Sequence, residues 1–438
     1  MKIQLIRPPL DSWYKSSQLT EFVSVPTGLC MVAGSNTSLL TDVTIFDGFN
    51  TTLEETLDRV DGDWVGVSDI YPSHNNALAI LKKAKEKGAI TFIGGPNVNY
   101  LAERILKNHD YVDLAVVGDG DRFLFDFFQS KTLHYLVPNL VYRTPDRIRR
   151  NKRVYFPLDR TFDLDAIENL SDDMLNNIPI SFIRGCVKAE EKGRCTFCTM
   201  DEKLRVMDPD LAWKQIDLLN RKYGTTSFTE SGDSFIVRDY PDQLLAARPG
   251  HLGHITFGRV YSSPDQINTD IVQTLKDLNV GLVFVGIESV DDDILERARK
   301  GYGYDDVRRA IDLLYNAEVP VHVPFIYGLE GETPVTMEKT YEFARSLIGQ
   351  SSAIIFISSA AVPIPGSMLF ENIRFDEQAG QEYPGDLDND DIFDYQALVR
   401  LQCKYFTDVT YDEVMGAVRE TKALIKESGR STSFGINE

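Results

Sequence analysis

Short apolar runs alternate with amphipathic stretches along most of the chain. Apolar runs at 2–6, 43–46, 64–67, 91–93 and 114–117 lack the polar–apolar alternation of a half-exposed strand, so they predict strands buried on both faces. Between them, 28–40, 53–60, 75–87 and 100–108 carry apolar residues at helical spacing. Strand and helix in regular alternation predict a doubly wound α/β domain with a parallel sheet. A second alternation begins at residue 179, with strands predicted at 180–184, 227–229, 255–259, 281–287, 321–327 and 353–358. Helices at 209–222, 265–278, 292–298, 304–316 and 336–347 fall between or after these strands. Six such units predict a partial (β/α)6 parallel barrel, with its chemistry at the carboxyl ends of the strands.

The remaining segments divide the chain. Residues 131–178 lack a sustained period and hold a basic, aromatic stretch (Arg143, Arg147, Arg149, Arg150, Lys152, Arg153), which reads as a linker with a small hairpin. The expected domains are therefore 1–130, 179–370 and an acidic, then helical, region at 371–438, whose last ten residues are expected to fray. In the first domain, turn residues follow the predicted strands: Asp47-Gly48, Ser68-Asp69, Gly94-Gly95-Pro96 and Gly118-Asp119-Gly120. Ligands of open α/β sheets bind at such carboxyl ends.

Composition narrows the function. With 46 basic and 66 acidic residues the formal charge is −20, which disfavours extended contact with nucleic acid. The basic stretch at 143–153 then reads as a solvated or interdomain surface. Apolar runs fall short of the ~18–20 residues that span a bilayer. The first apolar stretch, ended by Pro8-Pro9, is too brief for a secretion signal. Five cysteines in 438 residues are too few for a disulfide framework, and the odd number suits a reducing cytoplasm.

Three of those cysteines fall within thirteen residues: Cys186, Cys195 and Cys198, a C-x8-C-x2-C spacing on a loop with Lys188, Lys192 and Arg194. Nearby cations favour thiolates. A structural zinc site needs a fourth ligand, and His134, His251 and His254 all lie more than fifty residues away. Cys403 sits in an apolar helical context that reads as core. Zinc remains an alternative to an iron–sulfur cluster. Such clusters commonly take four thiolates, so three leave an iron open to a substrate or cofactor.

The cysteine loop, with Phe197 before its last cysteine, resembles the radical S-adenosylmethionine (SAM) superfamily, and more narrowly its cobalamin-binding branch. The usual first gap is three residues and here it is eight. The resemblance implies a 4Fe–4S cluster on Cys186, Cys195 and Cys198. SAM would chelate the open iron and be cleaved to methionine and a 5′-deoxyadenosyl radical. It further implies SAM contacts from Glu230 and Ser231 after the second barrel strand, Arg259 after the third, Glu288 and Ser289 after the fourth, and Tyr327 and Gly328 after the fifth. The turn 362–367 resembles the family's proline–glycine turn. By the residues alone, Glu288 could equally pair with Arg259 as a buried ion pair.

The first domain resembles the family's Rossmann-like cobalamin-binding module. Pro26, Thr27, Gly28, Asp47, Ser68, Gly94, Gly95, Pro96, Asn97, Gly118 and Asp119 match its turns in order. Many B12 proteins supply an axial histidine from the loop after the first strand. This chain has none before His74, so the resemblance implies cobalt without a protein imidazole from that loop. The activity implied is a cobalamin-dependent radical SAM enzyme that methylates an unactivated carbon of a small molecule or peptide. Cyclisation, ring contraction or rearrangement is the alternative, and a non-catalytic iron–sulfur or corrinoid carrier is a third reading. A reducing partner such as flavodoxin or ferredoxin is implied, and neither nucleic acid nor a membrane is.

Overall fold

The computed structural model describes residues 1–12, 24–34, 42–130, 133–159, 163–200, 203–348 and 354–427. The chain forms two compact units, Met1–Asn176 with Asp388–Phe393, and Asn177–Leu387 with the rest of the C-terminal region.

The first unit is built on seven strands: β1 (Lys2–Arg7), β2 (Asp42–Asp47), β3 (Trp64–Ser68), β4 (Ile90–Gly94), β5 (Leu114–Val116), β6 (Leu140–Arg143) and β7 (Ile148–Arg150). They lie in the order β2-β1-β3-β4-β5-β6-β7. The first five are parallel, and this 2-1-3-4-5 order is the flavodoxin-like form of the doubly wound fold. Side chains on β1, β3 and β4 are almost wholly buried (Ile3, Leu5, Ile6, Val65, Val67, Ile93), which explains their unbroken apolar runs. The helix Val98–Asn108 buries Val98, Leu101, Ala102, Ile105 and Leu106, one face of a 3.6-residue period.

The hairpin expected between two domains joins this sheet instead. β6 pairs antiparallel with β5, and β7 with β6. Its basic residues are all exposed, as a solvated surface requires, and two of them also bond the neighbouring helix. Arg143 donates to the carbonyls of Val112, Leu106 and His109, a cation at a helix C-terminus where the dipole favours it. Arg150 pairs with Glu103 of the same helix.

The second unit carries β8 (Ile178–Ile180), β9 (Ile183–Arg184), β10 (Arg205–Val206), β11 (Ser227–Glu230), β12 (Thr256–Ser262), β13 (Val283–Val285), β14 (Val321–Tyr327) and β15 (Ile354–Ala360). Six form one sheet in the order β15-β14-β13-β12-β11-β8, all parallel. The single strand expected at 180–184 is two. The barrel strand β8 stops at Ile180, and β9 pairs antiparallel with β10 in a separate ribbon. The helix expected at 265–278 begins at Thr269, after a short turn at Pro264–Gln266. Other boundaries follow local chemistry. The helix Pro209–Tyr223 opens on Asp208, whose carboxylate accepts from the Asp210 and Leu211 amides, and closes on left-handed Gly224, as capping requires.

Two C-terminal helices, Tyr395–Phe406 and Tyr411–Glu427, complete this unit. Expectations for 35–40, for residue 353 and for the last ten residues lie outside the described residues. Among the described residues, no helix is long and apolar enough to cross a membrane.

Candidate cluster and cofactor sites

The cysteine loop follows β9 and is anchored at both ends. Gly185 turns the chain at φ +84°, and a Cβ there would lie 2.4 Å from the Lys203 carbonyl oxygen, so only glycine fits. Cys186 then precedes the short helix Val187–Lys192. Within the C-x2-C stretch, the Thr196 amide donates to the Ala298 carbonyl (3.2 Å) and the Leu369 amide to the Thr196 carbonyl (3.1 Å). Phe197 packs on a buried group of Ile294, Ala298, Leu329, Ala361 and Leu369. The loop is thus held by backbone hydrogen bonds and an aromatic anchor.

All three cysteines are free thiols and partly exposed. Burial pushes the Cys198 thiol up to about 11, with Cys195 and Cys186 adding repulsion against the Met200 amide that favours its thiolate. Cys186 is likewise raised, first by burial, and the amides of Ala189 and Lys188 act in the opposite direction. Lys188 Nζ stands 3.3 Å from Cys195 Sγ, and the Met200 amide 3.3 Å from Cys198 Sγ. The thiols therefore share one electrostatic neighbourhood supplied with N–H donors. Among the described residues, no group of three or more His, Cys, Asp or Glu side chains is placed to hold one metal ion. Three thiols fit a cluster of several irons with one position left open. Cys30 is buried in the helix Thr27–Gly34 of the first unit, and Cys403 is buried beside the Gly328 turn.

Glu230, at the end of β11, braces the start of this loop. It is fully buried. Its Oε1 accepts from the amides of Phe182 (3.0 Å) and Ile183 (3.4 Å), and its Oε2 from Gly232 (3.0 Å). Burial raises its carboxyl to about 8, against those three N–H donors. A Cβ on Gly232 would strike the Ile183 carbonyl at 2.3 Å. Asp233 Oδ2 accepts from the Gly185 amide (3.0 Å). Ser231 is exposed, and its amide and hydroxyl both donate to the Ile180 carbonyl at 2.7 Å. Glu230→Gln would place an amide NH2 against a backbone N–H. We expect the variant to lower the unfolding midpoint of the barrel by the equivalent of about 1–3 kcal/mol and to retain less iron, read by denaturant titration and iron assay.

The other candidate residues of the barrel are half-buried or buried. Arg259 lies over the Tyr261 ring, 5.1 Å from its centroid. Glu288 pairs with Lys300 (2.9 Å), which corrects the Arg259 pairing the sequence left open. Its backbone takes φ +64°. The Ser289 hydroxyl is buried against Thr340 at 3.3 Å. The Tyr327 phenol is fully buried and hydrogen-bonds Thr421 at 2.8 Å, so the side chain serves the C-terminal helix. Gly328 turns at φ +85°. Its carbonyl accepts from Gln402 Nε2 (3.3 Å), and its amide donates to buried Glu332.

In the first unit, the small-residue turns do stand at the carboxyl ends of parallel strands. Asp47 is buried and paired with Arg7, so its carboxylate is taken up internally. Pro26 caps the start of the helix Thr27–Gly34, its carbonyl accepting from Leu29 and Cys30. A Cβ on Gly28 would meet nothing within 4 Å. Ser68 and Gly94 are paired across β3 and β4. Gly95 takes φ +119°, and a Cβ there would lie 2.5 Å from the Asp69 carbonyl oxygen. Pro96 follows it in the turn, where its carbonyl accepts from the Asn99 amide. The Gly118 amide donates to Asn99 Oδ1 at 2.6 Å, and Asp119 Oδ2 accepts from the Phe156 amide at 3.1 Å.

A buried polar network beneath these turns went unseen in the sequence. His74 Nδ1 is 2.9 Å from Asp69 Oδ2, and His74 Nε2 is 3.2 Å from Asp391 Oδ2. Asn97 Nδ2 donates to Asp69 Oδ2 at 3.0 Å. Asp391 also receives His109 Nε2 (2.8 Å) and Asn108 Nδ2 (2.6 Å). Both ring nitrogens of His74 are therefore engaged, leaving none for a metal. The backbone at Gly28 is open where a side chain would stand, which leaves room for a flat ligand and fits a corrinoid at this edge.

The barrel has a counterpart among known families. Residues 180–344 match the model of the Radical SAM superfamily. Those residues form a radical SAM domain. The chain's whole length has the fold of cobalamin-dependent radical SAM enzymes. The structure of the radical SAM methyltransferase TsrM from Kitasatospora setae, with cobalamin and a 4Fe–4S cluster bound, superposes with a TM-score of 0.70 at 15% identity, covering 97% of this chain and 91% of that one. The cobalamin-dependent SAM radical enzyme OxsB, with aqua-cobalamin and SAM bound, gives a TM-score of 0.62 at 14% identity and covers 100% of this chain but 62% of OxsB. In sequence, the chain is 25% identical over 399 residues to an uncharacterized methyltransferase of Pyrococcus horikoshii, covering 85% of this chain and 83% of that protein. It is 24% identical over 361 residues to the anaerobic magnesium-protoporphyrin IX monomethyl ester cyclase of Rubrivivax gelatinosus, covering 74% of this chain and 61% of the cyclase.

Proposed function

We propose that the chain is a cobalamin-dependent radical SAM enzyme that methylates an unactivated carbon of a small molecule or peptide. The observation that carries this reading is the anchored three-cysteine loop at a barrel edge, in a chain whose full length shares the fold of a cobalamin- and cluster-bound methyltransferase. When bound, the cluster supplies the electron that cleaves SAM, and the corrinoid carries the methyl group; such hard chemistry belongs to the cofactors.

The chain's own residues position them. Cys186, Cys195 and Cys198 would hold the cluster and leave one iron for SAM. Glu230 fixes the entrance to that loop through three backbone amides. Ser231, Arg259, Glu288 and the Gly328 backbone line barrel edges where SAM would lie, while Ser289 and Tyr327 shape those edges from within. In the first unit, Pro26, Thr27, Gly28, Ser68, Gly94, Gly95, Pro96, Asn97, Gly118 and Asp119 would border the corrinoid, with Asp47 holding its turn through Arg7. Flavodoxin or ferredoxin would supply electrons, and the reaction would take place in the cytoplasm.

The test is to incubate anaerobically reconstituted enzyme with reductant, cobalamin and SAM deuterated at its methyl group, together with candidate acceptors. A product carrying the labelled methyl, formed with 5′-deoxyadenosine, is expected. Deoxyadenosine release with a cyclised or rearranged product and no label would favour the second reading, which the resemblance to the cyclase supports. Absence of deoxyadenosine under strong reductant would point to the carrier reading.

A further inference from the structure

Lys188 and Lys300 both stand by the cysteine loop, and they differ in burial. Lys188 is partly exposed, so water and salt screen its charge. Lys300 is buried, with 9% of its side chain exposed against 10% for its partner Glu288. Its Nζ lies 5.4 Å from the ring centroid of Phe197, between Cys195 and Cys198 in the loop, and 5.4 Å from that of Tyr302. Tyr302 in turn donates to the Gly286 carbonyl, two residues before Glu288.

The loop and this cation are fixed to one piece of backbone. Thr196 bonds to Ala298, two residues before Lys300. A Cβ on Gly301 would lie 3.5 Å from Lys192 Cδ. Glu288 holds its carboxylate there from a left-handed backbone conformation, which costs of order 1–3 kcal/mol for such a residue. Its Oε2 is buried with no hydrogen-bond partner among the described residues. A buried ion pair at best breaks even in stability. Strain, an unpaired oxygen and a desolvated pair together are a poor way to build a core. Beside thiolates they have a different use, because a desolvated positive charge, offset only in part by its paired carboxylate, favours the more negative state of whatever those thiolates hold.

We propose that Lys300, paired with Glu288, is a positioning residue that seats Phe197 and raises the reduction potential of the cluster on Cys186, Cys195 and Cys198. This rests on reading those cysteines as cluster ligands. One electron enters the cluster from the external reductant, and Lys300 stabilises the added charge without gaining or losing a proton.

The experiment is an anaerobic potentiometric titration followed by electron paramagnetic resonance, without SAM, on wild type, Lys300→Met, Lys300→Arg, Glu288→Gln and the Lys300→Met/Glu288→Gln double variant, each with iron and sulfide counted first. Lys300→Met is expected to make cluster reduction at least tenfold less favourable, a shift of 59 mV or more to lower potential for one electron. Lys300→Arg should stay near wild type, and Glu288→Gln should shift upward. If Lys300→Met alone does not fold, the double variant, which leaves no lone buried charge, should titrate at least tenfold lower than Glu288→Gln. Equal potentials for wild type and Lys300→Met, or for the double variant and Glu288→Gln, at full iron content would overturn the inference. A wild-type protein that holds no four-iron cluster would instead overturn the ligand assignment beneath it.

Discussion

Cys195→Ala is expected to abolish reductive cleavage of SAM, with deoxyadenosine release falling by more than about 100-fold. Losing even an outer partner of a metal site costs ~10–100-fold, and Cys195 is proposed as a direct ligand. The substitution also removes the sulfur that Lys188 approaches at 3.3 Å, leaving two thiols that burial holds toward their neutral forms. Iron content should fall in parallel. Cys403→Ala and Cys30→Ala are the informative controls. Both thiols are buried, and burial raises each, Cys403 to about 11. Both variants should keep their iron. Iron lost from Cys403→Ala but kept in Cys195→Ala would place the ligands elsewhere.

What the sequence revealed and what it hid have physical reasons. The cysteine loop was legible because its ligands are close in the chain. The alternating β–α pattern was legible because strands buried on both faces lose their polar positions. Lys300 was not legible: it lies 102 residues after Cys198, and its nearest charged neighbours in sequence gave no sign of burial. The start of the barrel was misjudged because Phe182 and Ile183 carry the apolar pattern past Ile180, whereas in the structure their amides turn to the Glu230 carboxylate. The arginines of 143–153 read as a surface and are exposed, but the sequence did not show that Arg143 also caps a helix through three carbonyls. A capping arginine and a solvated one have the same local composition.

The acidic segment near 390 misleads in the same way, and it carries the second large effect. Asp391 is 4% exposed and gathers His74, His109 and Asn108. Asp391→Ala should destabilise the first unit by about 3–5 kcal/mol, the usual cost of stranding buried charge. Hydrogen exchange across β3, β4 and the helix Val98–Asn108 should speed up in the full-length protein. The pH dependence has a definite sign. Burial tends to lower His74, but the carboxylates of Asp69 and Asp391 outweigh it and raise the imidazole from 6.5 to about 10. Its contribution is then complete below pH 6.5, declines between 6.5 and about 10, and is gone above. Burial tends to raise Asp391, but His109, His74 and Asn108 hold it well below its usual 3.8. That contribution is complete above pH 3.8 and is lost as the pH falls further. Protection of these elements should therefore peak between pH 3.8 and 6.5 once corrected for intrinsic exchange, and Asp391→Ala should flatten the decline above it. Equal protection at pH 6 and pH 9.5 in the wild-type protein would show that His74 is not held as the cation between its two carboxylates.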